Sequence, residues 1–375
     1  MDTTKTKRNS NLEILRIIAM LLIIIYHLVT GSFEDFTLVS TNFNNYFIYF
    51  ISLFGKIGVD VFILITAYFM INSKFKLKKL FVLGGEVYFY SILFLILFLT
   101  VLTPAKPILY INIIQSILPL SHSLYWFITD YIVLMLLSPF LNVFIKKISK
   151  KNLLKLIILT LIIWSIFPTF TGPSFDFNQM IWFIVLYLIG SFIRLYLDFT
   201  KIKSKYLFLI LIVSLVIGWL FICVSSSINI LSQFDMFKLN GSIFNRENSI
   251  FVLFASLSLF LLFLKRKEFS NKYINYIAGS VLGVYLIHSN IFAGFYVWLT
   301  ILNIPSYYYS PYFIVIAITS TILVYLVCTG IDIVRRVSVE KIWIWFVDNK
   351  LNNIINWIYN KFYWFENKIK YYLKN

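Results

Sequence analysis

Charge is scarce in this chain. Only 13% of its 375 residues are Asp, Glu, Lys or Arg, against about 25% in a soluble domain. Cysteine is scarcer still: Cys223 and Cys328 are the only two, and both lie inside apolar runs. That excludes a disulfide framework and a cysteine-type metal site. There is no P-loop, no G-x-G-x-x-G, no G-x-S-x-G elbow and no clustered metal-ligand spacing. Nucleotide-driven transport, nicotinamide chemistry and a resident metal therefore have no support in the sequence. No internal repeat is visible, so the inverted-repeat sign of many transporters is missing too.

What the chain does have is apolar surface. Hydrophobic residues make up 60% and aromatics 19%, with a mean hydropathy of +0.85. The apolar stretches run for about 20 residues rather than alternating, which predicts helical membrane spans and not a barrel. The fold class expected is all-α: a polytopic integral-membrane bundle of about ten transmembrane helices with a C-terminal amphipathic helix. The spans fall near 12–30, 46–72, 80–102, 123–145, 153–171, 180–197, 205–225, 248–264, 276–302 and 310–334. The ninth is long enough to tilt, or to bend at Gly279 or Gly283. The first carries Glu13 and Arg16 and shows no small-x-small cleavage site, so it reads as a retained span rather than a signal.

The formal net charge of +17 would point to nucleic acid in a soluble protein. Here the placement of the basic residues accounts for it, and no nucleic-acid partner is expected. With the N-terminus inside, the loop pattern puts 29 of the 33 Lys and Arg residues on the inner side. Only Lys56, Lys106, Lys238 and Arg246 fall outside. Such a bias at every loop sets the orientation, with both termini cytoplasmic. Seven of the eight prolines sit in or beside outer loops, and the Pro-bounded apolar stretch 103–120 reads as an interfacial or re-entrant piece. The chain thus divides into a cytoplasmic N-terminus (1–11), a membrane domain (12–334) and a cytoplasmic tail (335–375). In the tail, Leu351, Ile355, Ile358, Phe362, Phe365, Ile369 and Tyr372 recur in steps of four and three, forming one helical stripe. That stripe fits either the inner membrane surface, in contact with lipid, or a coiled-coil contact.

Ionisable side chains inside hydrocarbon are costly and hence functional candidates. Arg16 and His27 share the first span. Eleven residues bring them back to nearly the same face, about 16 Å apart along the axis. Two readings stand: a snorkelling Arg with a hydrogen-bonded structural His, or two ends of one ligand track. His288 sits mid-span between Tyr285 and Ser289-Asn290, either as a functional group or as a core histidine bonded to a neighbouring helix. Asp60 lies in Gly55-Lys-Ile-Gly58-Val-Asp60. It can orient a histidine by accepting its second ring proton, or pair with Lys56 one turn away. Trp126 and Asp130 follow His122 at the start of the fourth span, and Glu86 in the third needs a partner. Lys76 and Lys79, with Lys74 and Lys78, form an inner basic cluster. It reflects either the inside bias alone or a site for the phosphates of an anionic ligand.

Four stretches together resemble the membrane acyltransferase-3 family. They are Leu15-Arg16-Ile-Ile-Ala19 with Tyr26-His27, Gly58-Val-Asp60-Val-Phe with Thr66-Ala67-Tyr68-Phe69, Leu124-Tyr125-Trp126-Phe127, and Gly283-Val-Tyr285-Leu-Ile-His288. The likeness covers about residues 10–334. Thr66-Ala67 stands where the family has Ser-Gly, and the family's basic Arg-x-x-Arg loop appears as Lys76 and Lys79. The resemblance implies an O-acyltransferase of the bacterial cytoplasmic membrane, with no bound cofactor. The donor would be acetyl-CoA or another acyl-CoA, and the acceptor a hydroxyl of a cell-surface or lipid-linked polysaccharide. In that reading His27, Asp60 and His288 carry catalysis, while Arg16, Lys76, Lys79, Trp126, Asp130 and Tyr285 bind substrate. Two other classes compete: a carrier or export component for lipid-linked sugars without chemistry, and an assembly role for the tail.

Overall fold

A computed structural model describes residues 8–33, 42–171, 178–231 and 244–372. Among these residues every regular element is a helix. The helices are α1 (Ser10–Ser32), α2 (Phe43–Met70), α3 (Leu77–Thr100), α4 (Tyr110–Ile117), α5 (Trp126–Lys147) and α6 (Lys150–Phe170). They continue with α7 (Gln179–Tyr196), α8 (Ser204–Leu231), α9 (Ile250–Leu264), α10 (Lys272–His288), α11 (Ile291–Ile301) and α12 (Phe313–Val337). The tail adds α13 (Val339–Phe346) and α14 (Asn352–Tyr372).

Local chemistry sets the helix starts. The side chains of Asn9, Asn42, Asn178, Asn271 and Asn290 accept from the first-turn N–H groups of α1, α2, α7, α10 and α11. Ser149 does the same for α6. These caps satisfy donors that a helix terminus would otherwise leave bare.

Eight helices among the described residues are long and apolar enough to cross a membrane, and nine if α10 and α11 count as one broken span. This differs from the ten expected in two places. The stretch expected at 248–264 is a helix of only 15 residues, about 22 Å against a hydrocarbon core of about 30 Å. The expected ninth span bends by 76°, and it does so at Ser289-Asn290 rather than at Gly279 or Gly283. The helix is also interrupted locally at Gly279-Ser280.

The core gathers around α2, the most enclosed of the spans, with 78% of its apolar window buried. It packs against α1, α7, α8 and α9. Its approach to α1 depends on glycine. A Cβ on Gly58 would lie 2.5 Å from the Ala19 carbonyl oxygen, and one on Gly55 would lie 2.3 Å from the Tyr26 ring. Small residues let two backbones meet closely where the lipid itself gives helices no hydrophobic reason to associate.

The tail does not stand apart from the bundle. Leu351, Ile355 and Ile358 pack with Leu77, Leu80 and Phe81 of α3 and Met135 and Leu136 of α5. The rest of the expected stripe (Phe362, Phe365, Ile369, Tyr372) lies outside the described side chains. Trp343 donates to the Phe81 carbonyl at 3.1 Å, and Lys78 pairs with Asp348.

Candidate active site

Two elements bring the reactive side chains together. His27 lies near the far end of α1, and His288 is the last residue of α10. The chain turns sharply just after His288, and particular contacts hold that turn. Asn290 caps α11 by accepting from the Phe292 and Ala293 N–H groups at 3.0 and 3.3 Å. Its amide also donates to the Tyr125 hydroxyl at 2.9 Å. Tyr125 in turn donates to the Leu286 carbonyl at 3.1 Å, an acceptor left open where α10 ends.

His27 Nδ1 lies 3.1 Å from His288 Nε2, and the ring centroids are 5.1 Å apart. The proton positions follow from the neighbours. His288 Nδ1 is 2.6 Å from the Val284 carbonyl oxygen, and a carbonyl can only accept. Nδ1 of His288 therefore carries a proton, which leaves Nε2 of the neutral ring as an acceptor. The matching proton sits on Nδ1 of His27, since otherwise two lone pairs would face each other. Nε2 of His27 is then the basic atom. The Ser289 hydroxyl sits 3.2 Å from His27 Nδ1 and 3.4 Å from His288 Nε2, where it supports the same pair.

The two histidines are not equivalent. His288 is 1% exposed and is not among the residues that line the adjoining cavity. His27 does line it. His288 thus sits behind His27, off the cavity wall, with its Nε2 against His27 Nδ1.

That cavity holds about 840 Å³ and extends from Arg8 and Arg16 at one end to His27, Lys56 and Glu247 at the other. Trp126, Phe127 and Tyr285 form part of its wall, so Trp126 and Tyr285 fall where a ligand would pass. Arg16 donates to Glu13 at 3.0 and 3.2 Å. A second cavity of about 1130 Å³ continues from the first, with Arg16, Thr66 and Tyr131 bordering both. It is lined by Lys74, Lys76, Lys79, Lys146 and Lys147, and among the described residues no acidic one lines it. The positions Arg16, Lys76 and Lys79 are thereby brought to one track that leads to His27.

Two expected residues lie elsewhere. Asp60 is fully buried and accepts from Trp182 Nε1 at 3.0 Å. The group that stands at His27 Nδ1 is His288, not Asp60. Nor does it pair with Lys56, which binds Glu247 at 2.6 Å and lies over the Tyr26 ring. Asp130 is half-buried and lines neither cavity. His122 is exposed in the turn before α5.

Sequence reading also missed two groups. Glu247 comes from the turn before α9 and gives no local signal of its partnership with Lys56. Arg335, counted as a tail cation, is only 6% exposed. It binds Asp332 at 2.8 Å, Glu86 at 2.9 Å and Glu340 at 3.3 Å. Tyr90 also donates to Asp332 at 2.9 Å. The partner that Glu86 needed is therefore Arg335. Its signal was a lone Asp332 three residues earlier in an apolar run, one helical turn away. Among the described residues no group of three or more His, Cys, Asp or Glu could hold a metal ion.

No curated protein and no solved structure gives a significant match to the chain. A family described as an acyltransferase domain, of the acyltransferase-3 type, matches residues 9–329. The histidine pair at the end of a through-bundle cavity thus belongs to a multi-pass membrane protein that is a member of the acyltransferase-3 family.

Proposed function

We propose that the protein is an O-acyltransferase, most specifically an O-acetyltransferase, of a bacterial cytoplasmic membrane. It moves an acyl group from acyl-CoA to a hydroxyl of a cell-surface or lipid-linked polysaccharide. Both termini, and with them the lysine-lined cavity, face the cytoplasm, in accord with the loop charge bias. The observation that carries the reading is the His27–His288 pair at the far end of a track that begins among clustered basic residues.

The chemistry follows from that arrangement. The polyanionic end of the donor lies among Lys76, Lys79 and their neighbours, where charge-assisted hydrogen bonds are strongest. Arg16 marks the passage inward, and the thioester lies in the cavity beside His27. The acceptor hydroxyl enters from the end near Lys56 and Glu247. As its oxygen attacks the thioester carbonyl, its proton passes to His27 Nε2. The C–O ester bond forms and the C–S bond breaks. The departing sulfur then takes the proton from His27, which restores the starting tautomer. His288 holds the His27 ring in place throughout, so that Nε2 is bare before the attack and again after the proton has passed to the sulfur.

The test is mass spectrometry of surface glycan from cells with and without the gene. Loss of ester-linked acyl groups with normal glycan amount supports the enzyme. Loss of the glycan itself would point to a carrier of lipid-linked sugars and overturn the proposal.

A further inference from the structure

The tail has a surface that the acyl-transfer chemistry does not use. Tyr359 and Tyr363 stand one turn apart on α14, so they share a helix face. Their rings are nearly parallel, at 11°, with centroids 6.2 Å apart. Both line the basic cavity. Among the described residues the tail brings no charge into this wall. The cations come from α1, from the loop and first turn around Lys74, Lys76 and Lys79, and from Lys146 and Lys147 at the end of α5.

The placement of α14 is fixed from several sides. Ile355 and Ile358 pack on α3 and α5, and Lys78 pairs with Asp348. Arg335 ties the start of the tail, through Glu340, to Glu86 of α3. The tyrosine pair is thus held over a cavity whose wall also carries Arg16 and five lysines. A ligand that matches both features is flat and aromatic at one point and strongly anionic beside it. Nucleotides have that pairing: base–aromatic stacking and phosphate–lysine contacts act together wherever proteins take them without sequence preference.

We propose that α14 is part of the donor site, and that the Tyr359–Tyr363 face stacks the purine base of the acyl-CoA nucleotide while the neighbouring lysines hold its phosphates. The inference rests on the acyl-CoA reading above and assigns the tail a place in it. The tail then serves substrate binding, rather than lying on the membrane surface or assembling with a partner.

The experiment is calorimetric titration of the purified full-length protein in nanodiscs with coenzyme A and, as a control without a nucleotide, with pantetheine. For Tyr359→Ala/Tyr363→Ala the Kd for coenzyme A should rise about 5- to 150-fold, the size of one lost base stack. The affinity for pantetheine should not separate the variant from wild type. Tyr359→Phe/Tyr363→Phe keeps both ring faces and should bind coenzyme A within about twofold of wild type. An unchanged Kd in the alanine variant, with coenzyme A bound by wild type, overturns the tail assignment and leaves the donor reading standing. No coenzyme A binding by wild type overturns both.

Discussion

Replacing His288 with alanine separates positioning from base chemistry. The substitution removes the acceptor 3.1 Å from His27 Nδ1 and the donor 2.6 Å from the Val284 carbonyl. The His27 N–H is left with the Ser289 hydroxyl at 3.2 Å as its nearest alternative. Leaving a buried polar group without its partner costs about 1–3 kcal/mol. Where that cost falls on the tautomer that takes the proton, kcat drops about 5- to 150-fold. Removing His27 itself deletes the base and should cost about 10²–10⁴-fold. The two residues act as one unit, so His27→Ala/His288→Ala should be no slower than His27→Ala alone. His288→Gln can place a carbonyl oxygen where Nε2 stood and should recover part of the rate. The assay is transfer of radiolabelled acetyl from acetyl-CoA in membrane vesicles that hold the endogenous acceptor, with kcat and the donor KM measured separately. The reasoning is refuted by a double variant slower by the product of the two single losses. It is equally refuted if His288→Ala raises KM and leaves kcat alone, since His288 would then contact the donor.

Three further outcomes follow from the packing. Asp60→Asn keeps an acceptor for Trp182 and should hold acyl transfer within about threefold of wild type, because no step needs the Asp60 charge; a hundredfold loss would return Asp60 to the reaction. Arg335→Met leaves Asp332, Glu86 and Glu340 without the cation they share. It should destabilise the fold by about 3–5 kcal/mol, seen as a clear fall in melting temperature in detergent, and an unshifted melt would contradict the network's role. Gly58→Leu forces atoms onto the Ala19 carbonyl and should cost at least about 1–3 kcal/mol as α1 and α2 separate; chemical unfolding equal to wild type would show that the interface yields freely.

Much of the architecture could be read from sequence because the membrane makes spans self-announcing. Unbroken apolar runs and the loop lysines marked most helices to within a few residues. The exceptions have physical causes. Hydropathy cannot tell a 15-residue helix such as α9 from the end of a longer one. Nor does it register the bend after His288, because the apolar run resumes at once in Ile291-Phe292-Ala293. The cue was Ser289-Asn290, a helix-start pair, placed where a break was not sought.

The site was legible only where it is local. Arg16 and His27 share α1, so helical periodicity put them on one face, and both line one cavity. The contact of His27 with His288 spans 261 residues, and that of Lys56 with Glu247 spans 191. No local pattern encodes such pairings, so the sequence put Asp60 beside a histidine where the structure puts His288 beside His27. Arg335 was misplaced for the same reason: its acids lie on three different helices.

The central claim is that His27 is the base of an acyl transfer. The most direct measurement is the ester-linked acetate of surface polysaccharide in a deletion strain complemented with wild type or with His27→Ala, at matched membrane levels of protein. The account predicts acetate restored by wild type and absent with His27→Ala. Full restoration by His27→Ala would contradict it.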